Sequence, residues 1–170
     1  SAGAHVNTTG DLTSSSGNSG TATDTLNVTD LPPIFSKAFA PASILTGNTS
    51  ALTFTIDNTA ASTSASALDF TDNMPAAVTV ATPANASTTC TGGTLTAVPG
   101  SGAVSYTGGT VSANASCSVS VDITSSTPGA HVNTTGDLTS SAGNSGTASD
   151  TLTVADSSVD LTVALSDDVE

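Results

Sequence analysis

Apolar and polar residues alternate along most of this chain with a period of two. In Ser50–Asp57, Leu52, Phe54 and Ile56 fall on one face, and Ala51, Thr53, Thr55 and Asp57 on the other. In Ser116–Thr124, Cys117, Val119, Val121 and Ile123 share a face. Val78 with Val80, Leu95 with Ala97 and Leu152 with Val154 are shorter cases. Successive side chains of a strand point to opposite sides, so the pattern predicts antiparallel strands with one buried face. No stretch holds helical spacing, and Glu, Lys and Arg, good helix formers, are nearly absent. Strands are expected near residues 34–39, 50–57, 67–71, 77–82, 94–98, 103–106, 116–124, 130–138 and 147–154. Turn signals separate them, among them Thr46-Gly47-Asn48, Thr91-Gly92-Gly93, Pro99-Gly100-Ser101-Gly102 and Thr107-Gly108-Gly109. The expected fold is all-β, an immunoglobulin-like antiparallel β-sandwich.

A second regularity has a much longer period. Residues 3–28, GAHVNTTGDLTSSSGNSGTATDTLNV, return as residues 129–154, GAHVNTTGDLTSSAGNSGTASDTLTV. Three of the 26 aligned positions differ, Ser16/Ala142, Thr23/Ser149 and Asn27/Thr153, at an offset of 126 residues. That offset is the size of a domain, which points to tandem repeats along an extended rod or fibre. The expected division is 1–30 as the last strands of a preceding repeat, 31–156 as a complete repeat and 157–170 as the opening strand of the next. The linker Thr29-Asp30-Leu31-Pro32-Pro33 is short, and its prolines stiffen it. A lone hairpin is marginal in water, so residues 1–28 need material from elsewhere to cover them. Val6, Leu12, Leu26 and Val28, with Leu161, Val163 and Leu165 of the following strand, are the expected contacts between repeats. The partners are then other copies of the repeat, joined head to tail.

Composition narrows the class further. Thr, Ser and Ala make almost half of the chain, and aromatics only 3%, so the core is expected to be lean. One Lys+Arg residue against 14 Asp+Glu gives a net charge of −13. That charge repels nucleic-acid phosphate and anionic lipid, so neither is an expected partner. No apolar run approaches the roughly 18–20 residues of a membrane span. The cysteines, Cys90 and Cys117, lack the companions of a zinc site and are better read as a disulfide in an oxidising compartment. In the chain-entropy view, closing that loop stabilises by roughly 3 kcal/mol.

Three stretches carry a family likeness. They are Phe35-Ser36-Lys37-Ala38-Phe39-Ala40-Pro41-Ala42-Ser43-Ile44, Leu52-Thr53-Phe54-Thr55-Ile56-Asp57-Asn58 and Phe70-Thr71-Asp72-Asn73-Met74-Pro75-Ala76. Together they resemble the bacterial surface-protein β-sandwich repeats known as domain of unknown function number eleven and its relatives. The resemblance covers most of residues 33–156. It implies an immunoglobulin-like fold in secreted or wall-attached proteins, used in tandem as stalks, adhesins or surface layers, with no shared catalytic residues.

Candidate chemistry is sparse. His5 and His131 occupy equivalent places in the two copies, too far apart for one site in a rod. Asp30, Asp72, Asp156, Asp160, Asp167 and Asp168 lie near predicted linkers and turns, where calcium at the repeat junctions is a candidate, although no twelve-residue calcium loop is present. No other cofactor is expected. Lys37 is the sole lysine and a candidate for the lysine–asparagine isopeptide bond that some surface adhesins carry; the aligned Val163 argues against it. Asn-x-Ser/Thr triplets occur at Asn7, Asn27, Asn48, Asn85, Asn114 and Asn133. The expectation is a non-enzymatic structural repeat of an extracellular bacterial surface filament, stalk or fibre. The alternative is an adhesin module that binds a ligand through loops such as Pro99–Gly102 or Thr107–Gly109.

Overall fold

A computed structural model describes residues 2–157 of the chain, and these form strands and turns without a helix. The first segment holds β1 (Gly3–Thr8), β2 (Thr13–Ser14), β3 (Gly17–Asn18) and β4 (Thr23–Val28). β1 runs antiparallel to β4, with Gly3 opposite Val28, and β2 pairs with β3 at the hairpin tip. The body follows with β5 (Ile34–Ala40), β6 (Ser43–Leu45), β7 (Thr49–Asp57), β8 (Ala65–Asn73) and β9 (Val78–Val80). It continues through β10 (Ser87–Thr88), β11 (Thr91–Ala97), β12 (Ala103–Val111) and β13 (Ser116–Ser125). The repeated segment closes it as β14 (Gly129–Thr134), β15 (Thr139–Ser140), β16 (Gly143–Asn144) and β17 (Ser149–Ala155).

Two sheets face each other. One has the order β10-β13-β7-β5, with β9 also paired to β13; the other runs β11-β12-β8-β15-β16. A smaller sheet, β14-β17-β6, seals one side. The longest ladder joins β13 to β7, from Ser116 opposite Asp57 to Thr124 opposite Thr49. The alternation seen in the sequence sets which side faces in. Leu52, Phe54 and Ile56 meet Val119, Val121 and Ile123 in the core, while Thr and Ser take the outer face. All five aromatic residues are buried. Phe70 lies at the centre of their cluster, with ring centroids 4.8 Å from Phe54 and 5.1 Å from Phe35.

Three local expectations are corrected. Thr107–Gly109 is no turn, because β12 runs through it to Val111 with register shifts on either side of Gly109. The Tyr106 ring lies over Gly93 and Gly109, where a Cβ would collide with it, and its hydroxyl donates to Gly92 O at 2.8 Å. Glycine there admits a close approach and a bulge. The strand expected at 130–138 ends at Thr134; the chain then crosses the body before the short β15. The strand expected at 77–82 shrinks to Val78–Val80, while β6 and β10 are too short to show as alternation.

Candidate functional site

The hairpin β14–β17 is the element that completes the body, and its contacts are specific. Val154 pairs in parallel with Ile44 of β6, and Thr153 N–H donates to Ala42 O at 2.9 Å. Gly136 N–H donates to Thr71 O and Ser141 N–H to Ser66 O, both at 2.8 Å. The Asp150 carboxylate accepts from Phe39 N–H at 2.9 Å, and the Ser141 hydroxyl from Ser66 N–H at 2.9 Å. Leu138, Leu152 and Val154 enter the core, with 0%, 0% and 2% of their surface exposed. Burying each such side chain is worth about 1.5–3 kcal/mol.

The first copy has the same internal register and none of this cover. Leu12, Leu26 and Val28, equivalent to those three, are 68%, 67% and 38% exposed. Most side chains that dock the second copy recur in the first: Asn7 for Asn133, Ser15 for Ser141, Asp24 for Asp150, and the three aliphatic residues; Ala142, which packs against the core, is Ser16 there. The three substituted positions, Ala142, Ser149 and Thr153, are not fully buried in the docked copy. Val6 is a different case. Its equivalent Val132 is 62% exposed in the docked hairpin, because the neighbouring Asn133 takes the inward face. The other expected contacts, Leu161, Val163 and Leu165, lie outside the described residues. The hairpin's tie to the body is at its base. Asp30 accepts from Thr63 N–H at 2.9 Å and from the Thr63 hydroxyl at 2.6 Å. The Thr63 hydroxyl, more than the other donors, holds the Asp30 carboxyl below its ordinary value.

Where β5, β8 and β14 converge, three polar side chains sit inside the protein. Lys37 Nζ lies 2.8 Å from Asp72 Oδ2, and neither side chain is exposed. Asn133 Nδ2 donates to the same Asp72 oxygen at 2.8 Å. Phe39 and Phe54 flank the lysine nitrogen, with ring centroids 5.8 and 5.3 Å away. Burial pushes the Lys37 amine below its ordinary value, and Asp72 and Asp150 oppose that push. Asp72 Oδ1 and Asn133 Oδ1 are buried and accept no hydrogen bond among the described residues. Sequence reasoning singled out Lys37 and left Asp72 with the junction acids. The signal was there in the phase of the strands: Lys37 stands in register with Phe35 and Phe39, and Asp72 with Phe70.

The remaining candidates separate. Cys90 and Cys117 are joined by a disulfide that ties the segment before β11 to β13. Among the described residues no three His, Cys, Asp or Glu side chains gather as a metal site would need. Asp160, Asp167 and Asp168 lie outside the described residues. His131 Nε2 is 2.9 Å from Thr127 O. Pro99–Gly102 is bonded into the body, with Gly100 N–H donating to Val80 O and Met74 N–H to Gly102 O. Asn133, of the last glycosylation triplet, is buried and donates to Asp72 in the folded chain.

Residues 33–154 match the model of a domain of unknown function designated DUF7933. The chain belongs to this family. The matched span starts at the linker and ends with β17, so it takes in the body and its docked hairpin but leaves out the first copy. DUF7933, and not domain of unknown function number eleven, is the matching model. No curated protein shows a significant sequence match. Among solved structures, a cohesin module from a Clostridium perfringens family 33 glycoside hydrolase is similar at 9% identity and a TM-score of 0.52; the alignment covers 75% of this chain and 99% of that one. A collagen-binding domain from a Staphylococcus aureus adhesin aligns at 10% identity over 75% of this chain and 99% of that one, with a TM-score of 0.47. The DUF7933 chain therefore shares the immunoglobulin-like β-sandwich fold of the cohesin module.

Proposed function

We propose that this chain is a structural repeat of an extracellular bacterial surface filament or stalk, in which each repeat is closed by the hairpin at its end and residues 3–28 are the closing hairpin of another copy of the repeat. One observation carries the reading: a hairpin buried in one copy is repeated, with all but one of its docking side chains, in a copy that buries none of them. The partner surface is a second body of the kind formed by residues 33–127, and the bonds are those that hold β14 and β17. The role is mechanical. Ladders and a small core hold each unit, the disulfide and a Pro-containing linker limit its give, and the acidic surface keeps neighbouring fibres apart. An oxidising, extracellular setting fits the disulfide. Turnover chemistry has no part in this reading. The adhesin alternative draws less support, since the aromatic residues are buried and the 99–102 turn is spent on its own domain.

The test is length. Chains extended by one and two further 126-residue units should give a maximum dimension in X-ray scattering that grows by a constant step per unit. A dimension that grows more slowly, as for freely jointed beads, would contradict a stacked filament.

A further inference from the structure

The buried trio of Lys37, Asp72 and Asn133 joins the docked hairpin to the body. As an ordinary ion pair it is costly. Two charges leave water, and two further oxygens stay unpartnered. It is, however, an amine, a carboxamide and a proton carrier held against one another in a dry pocket. We propose that Lys37 and Asn133 form an intramolecular isopeptide bond, with Asp72 transferring the protons, so that the first strand of the body becomes covalently tied to the closing hairpin. This stands on the geometry around Lys37 and does not depend on how the first hairpin is used.

The chemistry balances without an oxidant or a cofactor. Asp72, as carboxylate, takes one proton from the Lys37 ammonium to leave a neutral amine. Nζ attacks Cγ of Asn133; the Nζ–Cγ bond forms and the Cγ–Nδ2 bond breaks. Of the two protons the lysine nitrogen gives up, one passes through Asp72 to the departing nitrogen and completes ammonia. The other stays on Asp72 until solvent removes it. Three features of the site favour this course. Burial lowers the cost of the neutral amine, the form that can attack. Both reacting nitrogens already touch Asp72 Oδ2, so one oxygen serves donor and leaving group. Asn133 Oδ1, which carries charge in the tetrahedral intermediate, has no partner that would have to be broken first. Among the described residues, Asp150 on β17 is the other charged side chain that acts on Lys37. The offset places Val163 at the lysine position of the next unit, so the bond belongs to this unit.

The test uses the whole chain, reduced and unfolded. Its mass should lie about 17 Da, one ammonia, below that of the sequence. Lys37 is the sole lysine and there is no arginine. Trypsin should therefore leave the unfolded wild type uncut, and other proteases should yield a branched peptide containing both Lys37 and Asn133. Asn133→Ala should restore the sequence mass and let trypsin cut after residue 37. Asp72→Asn, which keeps the shape and cannot carry the proton, should do the same while retaining the wild-type circular dichroism. A wild type at sequence mass that trypsin divides in two would overturn the proposal. So would the lower mass without a branched peptide, which would mark an asparagine succinimide elsewhere.

Discussion

The two copies of one hairpin in this molecule differ in three side chains and in what covers them. The copy at 129–154 lies on the body, with Leu138, Leu152 and Val154 sealed and three of its amides spent on the body. The copy at 3–28 keeps the same ladder and the same turn, held at the tip by the same Asn-to-Asp bond, Asn18 to Asp11 at 2.7 Å and Asn144 to Asp137 at 2.6 Å. Its apolar side chains face outward. Local sequence thus fixes the hairpin's own shape, since both copies have it. Burial is supplied by the partner surface, since one copy alone has it. The contrast separates propensity from packing more cleanly than a substitution could, because the chain carries its own control.

The largest expected effect breaks the symmetry directly. Leu138→Ala and Leu152→Ala should each cost about 2–5 kcal/mol of stability, from lost burial and a residual cavity. Leu12→Ala and Leu26→Ala, the same changes in the first copy, should each stay within about 0.5 kcal/mol. Chemical denaturation of the four variants measures the contrast, and equal costs in the two copies would show that the first hairpin is packed in this chain too.

A smaller effect concerns the hinge between hairpin and body. The Asp30 carboxyl is held below its ordinary value, so its protonated form is the weaker partner of Thr63. A carboxylate whose folded value is lowered contributes while ionised, and the contribution is lost as the pH falls through that value. The protection of the Thr63 amide, taken relative to its intrinsic exchange rate at each pH, should therefore fall in acid, below the ordinary carboxylate range. Asp30→Asn should lower that protection at neutral pH and leave it little changed in acid. An amide that stays slow in the variant would show that another group holds the linker.

Much of the fold was legible in the sequence, for a physical reason. In β5, β7, β8 and β13 one face is buried, and a period of two is then enforced residue by residue. Short strands such as β6 and β10 left no such trace. The Gly-Gly at 108–109 misled as a turn, because the close approach of Tyr106 is a tertiary fact. For the docking hairpin, the repeat marked the two copies as equivalent, while which of them is covered is a tertiary fact that no local pattern shows. The Lys37 cluster was only half visible. Two polar residues stand in the apolar phase of their strands, but Asn133 joins them from a position nearly a hundred residues from Lys37 in the chain.

The most direct test places a second copy of residues 31–128 immediately ahead of Gly3 and follows amide exchange through the first hairpin. Docking predicts that the amides of Gly10, Ser15 and Asn27, equivalents of Gly136, Ser141 and Thr153, become as slow as those three, while in the 170-residue chain they exchange freely. If the three amides exchange equally fast in both chains, the first hairpin does not close a body placed ahead of it, and the tandem array read from the duplication fails with it.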